Sequence, residues 1–509
     1  MHNFDAEPPS IIQERRGGIL LHPTSLPGPH GCGTLGEHTE SWLEWLASAG
    51  MRLWQFLPLG PTGYGDSPYQ SFSAFAGNPN LIDLESLVEQ GLLDSQDLEP
   101  IPDWPAEIDY GQFLNWKHPV LKLIAKRFKQ RADPSLIDAY NEFVIQQGSW
   151  LQDYALFMSL KEAYAGATWT TWPEGLARRE QVALERAQID FASGIEHEQI
   201  LQFIFRSQWG KVREKANELG IMLVGDMPIF VAHDSAEVWS RPELFQLDSD
   251  GMPVVVAGVP PDYFSATGQR WGNPLYDWEE MRRNTYAWWV SRLGTALELT
   301  DVVRLDHFRG FAAYWEIPAE EETAVKGRWV EGPGRDLLDR LFLELGRLPL
   351  LAEDLGIITP DVEDLRDAYN LPGMRVLQFG LEGDPENPYL PHNYIPNCIA
   401  YTGTHDNDTS AGWYNSSTQK IQDFCRRYLE SDGAQIGRDM MRSIWASSAG
   451  WVVSPMQDPL GLGSEARMNT PGKTGNSWSW RMQENALTED LAQQLSELNW
   501  LYGRTAPTS

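Results

Sequence analysis

The sequence predicts an α/β fold: a (β/α)8 TIM barrel with large insertions between barrel strands, forming subdomains around a cleft. Three observations carry this. Short apolar runs ending in a polar residue recur along the chain, as buried strands do where they reach a rim. Helical periodicity fills most intervals between them, and strand–helix alternation implies a parallel sheet. Three runs end at acidic residues, Asp306, Glu353 and Asp406. Carboxylates at three strand ends converge at the C-terminal mouth of such a barrel.

In chain order, the first strand is read at residues 18–22 and the second at 52–58. Residues 41–49 between them read as a helix closed by Gly50. The third strand, 222–226, follows a periodic stretch at 198–219 that places Ile200, Leu201, Ile204, Trp209 and Val212 near one face and ends at Gly220 as C′. The fourth, 302–307, and the fifth, 350–354, carry Asp306 and Glu353. The sixth is read at 374–379, the seventh at 400–406 with Asp406 at its end, and the eighth at 450–455. Residues 488–501 read as an amphipathic terminal helix.

The whole chain, 1–509, reads as one catalytic domain with two insertions. Residues 77–192 separate the second and third strands by far more than a crossover and hold helical runs such as 150–163. Residues 241–284, after the third strand, are rich in Gly, Pro and aromatics. Long loops at this face of a barrel build its binding site.

Composition narrows the function. Apolar residues make up 42% of the chain, ample for a core, yet no apolar run is long enough for a membrane span. The start has neither a basic region nor an apolar stretch, so no secretory leader is expected. Cys32, Cys398 and Cys425 make no disulfide framework and read as buried thiols of a reducing, cytoplasmic compartment. A net charge of −31 disfavours nucleic acid, anionic membranes and polyanionic substrates. It is compatible with a neutral polymer such as a glucan, and equally with a surface that only confers solubility. The 22 Trp and 17 Tyr offer faces for stacking on sugars, but they are also ordinary core material.

Two carboxylates facing a sugar ring are the usual equipment for glycosidic bond chemistry. Arg304 precedes Asp306 by two residues, so on a strand both point the same way, and the cation would keep Asp306 ionised as a nucleophile. Glu353 follows Leu350, Leu351 and Ala352 and would need a dry pocket to stay protonated as general acid. Asp406 follows His405 in a polar turn, where a third carboxylate can hold sugar hydroxyls. Any one of these alone reads as a helix cap or surface ion pair; three together, beside an Arg and a His, read as a site. Asp226, at the end of the third strand, is either the partner that fixes Arg304 or a turn residue before Pro228.

Other motifs fail on context. Gly31, Gly33 and Gly36 match a dinucleotide fingerprint, but residues 23–29 separate them from the strand they should follow directly. A phosphate-loop reading of Gly472-Lys473-Thr474 lacks its leading glycine, since Arg467 stands there. His233, His307 and His405 lack the pairing of a metal site.

Four runs, in order, resemble the amylomaltases, the 4-α-glucanotransferases or disproportionating enzymes of glycoside hydrolase family 77 in the α-amylase superfamily. They are Gly63-Tyr64-Gly65-Asp66-Ser67-Pro68-Tyr69-Gln70, Arg304-Leu305-Asp306-His307-Phe308-Arg309-Gly310, Ala352-Glu353-Asp354-Leu355-Gly356 and Tyr401-Thr402-Gly403-Thr404-His405-Asp406-Asn407-Asp408. The likeness extends from Leu20 to the run at 475–481.

The resemblance implies a retaining glucanotransferase with Asp306 as nucleophile, Glu353 as acid and then base, and Asp406 stabilising the transition state. It implies a supporting Asp226–Arg304 pair, His307 and His405 in the first donor subsite, Tyr69 and Ser67 on the substrate, and Trp271 in a loop arching over the cleft. Tyr64 is implied at a secondary glucan site, or packs locally. Retaining chemistry calls for carboxyls about 5–5.5 Å apart. Phe230 and Val231 stand where typical α-amylases carry an Asn-His pair whose Asn ligates calcium, so no metal or cofactor is expected. The implied partners are α-1,4-glucan donors with maltooligosaccharide or glucose acceptors, on a monomer or weak homodimer. A hydrolase of the same glucans, or a catalytically silent glucan-binding scaffold, is the alternative. The first half-reaction is common to transfer and hydrolysis, and the resemblance decides for transfer.

Overall fold

The structure, a computed structural model, describes residues 10–261, 265–472, 475 and 477–505. The start read for a leader (1–9), residues 262–264 of the second insertion, Lys473 and Thr474 of the rejected phosphate loop, and Asn476 lie outside the described residues.

Eight parallel strands form one sheet that curls into a nearly closed barrel. In chain order they are Arg16–Leu20, Leu53–Gln55, Met222–Pro228, Val302–Asp306, Leu350–Ala352, Gly373–Val376, Cys398–Tyr401 and Trp451–Pro455. Each pairs with its neighbours in sequence order, and the first pairs with the eighth. Seven of the eight seams are regular ladders. At the remaining seam, between the fifth and sixth strands, Ala352 N–H donates to the Pro372 carbonyl at 2.9 Å. The buried Asp354 side chain bridges the gap there, accepting from Met374 N–H at 2.6 Å while Arg366 balances its charge at 2.5 Å. The strands are almost wholly buried because the barrel interior covers one face and helices the other.

All eight strands lie where the sequence places them, but two end early. The sixth gives way to a helical turn at Leu377–Gly380. The seventh stops at Tyr401, so Asp406 sits on the following loop rather than at a strand tip. The helix at Ala192–Glu218 begins six residues before its periodic stretch and ends as read, with Gly220 at φ 69°. It packs on the barrel through Trp209, edge-on to Phe56 at 5.2 Å. Residues between the second and third strands include the helices Tyr110–Arg131, Pro134–Gln146 and Leu151–Ala163. None of the helices is long and apolar enough to cross a membrane, among the described residues.

A second, antiparallel sheet stands over the mouth, ordered Gln269–Pro274, Val255–Val259, Ala313–Pro318, Arg328–Glu331. Its last two strands follow the fourth barrel strand and went unread in the sequence. In Ala313–Pro318, Tyr314 and Glu316 alternate with Trp315 and Ile317, a period-two pattern separated from the barrel strand by one helical turn, Arg309–Ala312. Too short a gap for a crossover hid a change of sheet.

The C-terminal helix, Glu489–Leu501, is capped by the Thr488 hydroxyl, which accepts from Leu491 N–H at 3.2 Å. It delivers Arg504 under the barrel floor. There the buried guanidinium donates to the carbonyls of Trp445, Ala449 and Gly450, each at 3.0 Å, where the eighth strand begins. Arg504→Ala strands these acceptors without water. We expect it to lower unfolding free energy by about 3 kcal/mol, read as a shifted midpoint in chemical denaturation with unchanged slope.

Candidate active site

The register of the third and fourth strands builds the floor of the site. Asp226 lies opposite Arg304, and Pro228 opposite Asp306. Arg304 and Asp306, two apart on one strand, face the same side. Arg304 Nη1 therefore lies between both acids, donating to both oxygens of Asp226 at 2.7 Å and to Asp306 Oδ1 at 2.8 Å. The Arg304 and Asp226 side chains are 5% and 0% exposed, whereas Asp306 keeps 27% of its surface. Of the two sequence readings of Asp226, the geometry selects the arginine partner. Tyr69 O–H donates to Asp226 Oδ2 at 2.7 Å, and its ring stacks on His405, centroids 5.1 Å apart.

Glu353 immediately follows the fifth strand. Its oxygens accept from two backbone donors, His307 N–H at 2.6 Å and Leu355 N–H at 2.9 Å. The first bond needs an unusual backbone: His307 is left-handed, φ 53°, which turns the chain directly after Asp306 toward the neighbouring strand. The His307 ring is buried and neutral, its pKa lowered to about 3 by burial. Its Nε2 has no partner, and Trp271 meets it edge to face at 4.8 Å. Trp271 belongs to the strand Gln269–Pro274, so the expected arching loop is at this point a sheet edge.

Asp406 is reached differently. It is half exposed (49%), on the loop past the seventh strand. Asn469 Nδ2 donates to its Oδ1 at 2.6 Å, and His405 Nε2 lies 3.4 Å from its Oδ2. Asn469 and Arg467, whose Nη2 donates to the Asp406 carbonyl at 2.7 Å, went unread. They follow the eighth strand in an irregular segment without periodicity, and their position at the barrel mouth was the one available signal.

Ser67 shapes the turn that presents Tyr69, its hydroxyl accepting from Tyr69 N–H at 3.3 Å. Tyr64 is 80% exposed, so it does not pack locally. His233 bonds to the Gly251 carbonyl at 2.8 Å.

Electrostatics separates the two central acids. Burial raises Glu353 to about 8; Arg304 and the two N–H donors oppose the rise, and the Asp306 charge adds to it. Burial also raises Asp306, to about 6, against the pull of Arg304. That corrects the expectation that Arg304 alone would hold Asp306 low: the cation is shared with Asp226, whose charge pushes the other way. The order survives. At neutral pH Asp306 carries the charge and Glu353 the proton.

A parallel barrel with an ionised and a protonated carboxyl on neighbouring strands at its mouth has the equipment of enzymes that act on glycosidic bonds. Known proteins agree. The family model for glycoside hydrolase family 77, 4-alpha-glucanotransferase, matches residues 21–488. The 4-alpha-glucanotransferase of Thermus thermophilus is 51% identical over 94% of this chain and 97% of its own. That of Synechocystis is 45% identical over 97% and 99%. The structure of an amylomaltase from Streptococcus agalactiae in complex with acarbose superposes with a TM-score of 0.94 at 37% identity, covering 97% of this chain and all of that one. The chain belongs to the 4-α-glucanotransferase family and is an enzyme of that class.

The buried cluster makes a stability prediction. Arg304→Met leaves the Asp226 carboxylate buried without its cation and should cost about 3–5 kcal/mol. Adding Asp226→Asn to that variant should recover most of the loss. Equal stability of the single and double variants, by urea denaturation, would show that the pair is not coupled.

Proposed function

We propose that the enzyme transfers 1,4-α-glucan segments to the 4-hydroxyl of glucose or a maltooligosaccharide by a retaining double displacement carried by Asp306, Glu353 and Asp406. The observation that carries this is the contrast between adjacent strand ends: Asp306 held by a cation, Glu353 held by two backbone amides in a dry setting.

In the first half-reaction an Asp306 oxygen attacks the anomeric carbon. The bond to the departing glucan oxygen breaks, and Glu353 gives that oxygen its proton. The product is a glucosyl ester on Asp306 and a shortened glucan with a free 4-hydroxyl. In the second, Glu353 removes the proton from the acceptor 4-hydroxyl as that oxygen attacks the ester, and Asp306 leaves as a carboxylate. Arg304 stays bonded to Asp306 Oδ1 and meets the charge as it returns. Asp406, half exposed beside His405, holds hydroxyls of the reacting glucose, and Tyr69 borders the same sugar. Ser67 acts through the turn that presents Tyr69. The open ring of Tyr64 offers a face for a second glucan segment away from the carboxylates.

Incubation with maltotriose alone tests the reaction. Glucose and a ladder of longer oligosaccharides should appear with no net gain of reducing ends. Glucose and maltose with rising reducing ends would make it a hydrolase, and no change a binding scaffold. The pH profile of kcat/KM should be bell-shaped, falling below about 6 as Asp306 takes a proton and above about 8 as Glu353 loses one. Glu353→Gln should lower kcat about 10²–10⁴-fold and remove the alkaline limb; a limb that persists would assign it to another group.

Transfer must outcompete bulk water, which requires an acceptor in register and water kept out of line. Trp271, edge-on to His307, is placed to do both. Trp271→Ala should raise the ratio of hydrolysis to transfer, measured as reducing ends per glucose released, and an unchanged ratio would remove Trp271 from that role.

A further inference from the structure

We propose that Asn469 is a positioning residue for Asp406, fixing that carboxylate where it meets the glucose undergoing transfer. The inference rests on the role given to Asp406 above and adds what makes that role possible. Asp306 and Glu353 are placed by strand register and backbone amides. Asp406 is not: it lies five residues beyond the end of its strand, on a loop, with half its side chain in solvent. A carboxylate so placed rotates freely unless something holds it, and a misplaced group can cost about 100-fold in rate.

Asn469 supplies the hold. Its Nδ2 donates to Asp406 Oδ1 at 2.6 Å, a bond strengthened by the acceptor's charge. The pair is clipped together by Arg467, which donates from Nη2 to the Asp406 carbonyl at 2.7 Å and from Nε to the Asn469 carbonyl at 2.6 Å. The segment is itself tied down: Trp478 N–H donates to the Met468 carbonyl at 2.7 Å, and Met482 N–H to the Ser25 carbonyl, beyond the first barrel strand, at 2.9 Å. Trp478 closes the loop back onto the site, its ring 6.0 Å from His405 and 5.8 Å from Tyr69. The chemistry of the donor fits the task. A cation here would compete with sugar hydroxyls for the carboxylate, whereas a neutral amide takes one lone pair, leaves the charge intact and does not titrate.

The test measures kcat, KM and thermal midpoint with maltotriose for Asn469→Ala, Asn469→Asp and Asp406→Asn. Asn469→Ala should lower kcat about 10- to 100-fold while KM moves less than about threefold, because the lost interaction serves the transition state. Asn469→Asp keeps the shape but faces Asp406 with an acceptor. It should be the slower variant at neutral pH, and its activity relative to the native enzyme should rise as pH falls, once the new carboxyl carries a proton it can donate to Asp406. A packing role would leave this near-isosteric variant native-like with no such pH signature. Both Asn469 variants within about twofold of native kcat, with Asp406→Asn impaired, would overturn the inference alone. Native kcat in Asp406→Asn would overturn the role of Asp406, and the inference with it. The thermal midpoint separates either result from misfolding.

Discussion

One guanidinium organises the mouth of this barrel. Arg304 can bond Asp226 and Asp306 together because the third and fourth strands run parallel in a register that puts Asp226 opposite Arg304, with Asp306 two residues further on. A slip of one residue would turn every one of these side chains to the other face. The bond network continues outward. Asp226 takes a second donor from Tyr69, and Tyr69 packs on His405, so the loops after the second and seventh strands are referred to the same cation. Arg304 and Asp226 are buried where neither charge is tolerable alone, so the fold and the charge pattern hold each other in place.

Sharing that cation sets the chemistry. Because Asp226 claims part of Arg304, Asp306 is stabilised as an anion only partially and stays reactive. Glu353 receives no cation contact. Its two backbone amides favour the charged form, yet burial outweighs them, and the acid keeps its proton at neutral pH. The left-handed turn at His307 ties the two together: the residue after the nucleophile donates its N–H to the acid. A β-carbon makes that conformation costly, and it persists because the neighbouring strand and the buried ring over-determine it.

How legible this was follows from what each part depends on. The barrel strands are short, apolar and punctuated, and periodicity finds such elements well. Asp306, Arg304 and Glu353 could be read because their placement is local to a strand. The pairing of Asp226 with Arg304 was left open, since it depends on register between strands that are 78 residues apart in the chain at this contact. Asn469 lies 63 residues from Asp406 in an irregular segment, and no periodic signal joins them. The strands Ala313–Pro318 and Arg328–Glu331 were missed because their partner is the inserted strand Val255–Val259, not the barrel. Asp306 was expected to stay low because sequence shows the neighbouring Arg but not its second acid.

The same distinction bears on transfer against hydrolysis. Both reactions share the attack by Asp306 and the proton from Glu353, so those residues cannot decide between them. The decision belongs to the second half-reaction, and there the surroundings differ from simple barrel loops. Two aromatic walls reach the site from independent parts of the chain. Trp271, from the antiparallel sheet, meets His307 beside the nucleophile. Trp478, from the segment after the eighth strand, lies against His405 and Tyr69 beside Asp406. Each ring sits next to a histidine that adjoins a carboxylate, where it can present an apolar face to a sugar and leave little room for an in-line water. A barrel supplies carboxylates through its strands; the partition between an acceptor glucan and water is set by what the insertions place above them.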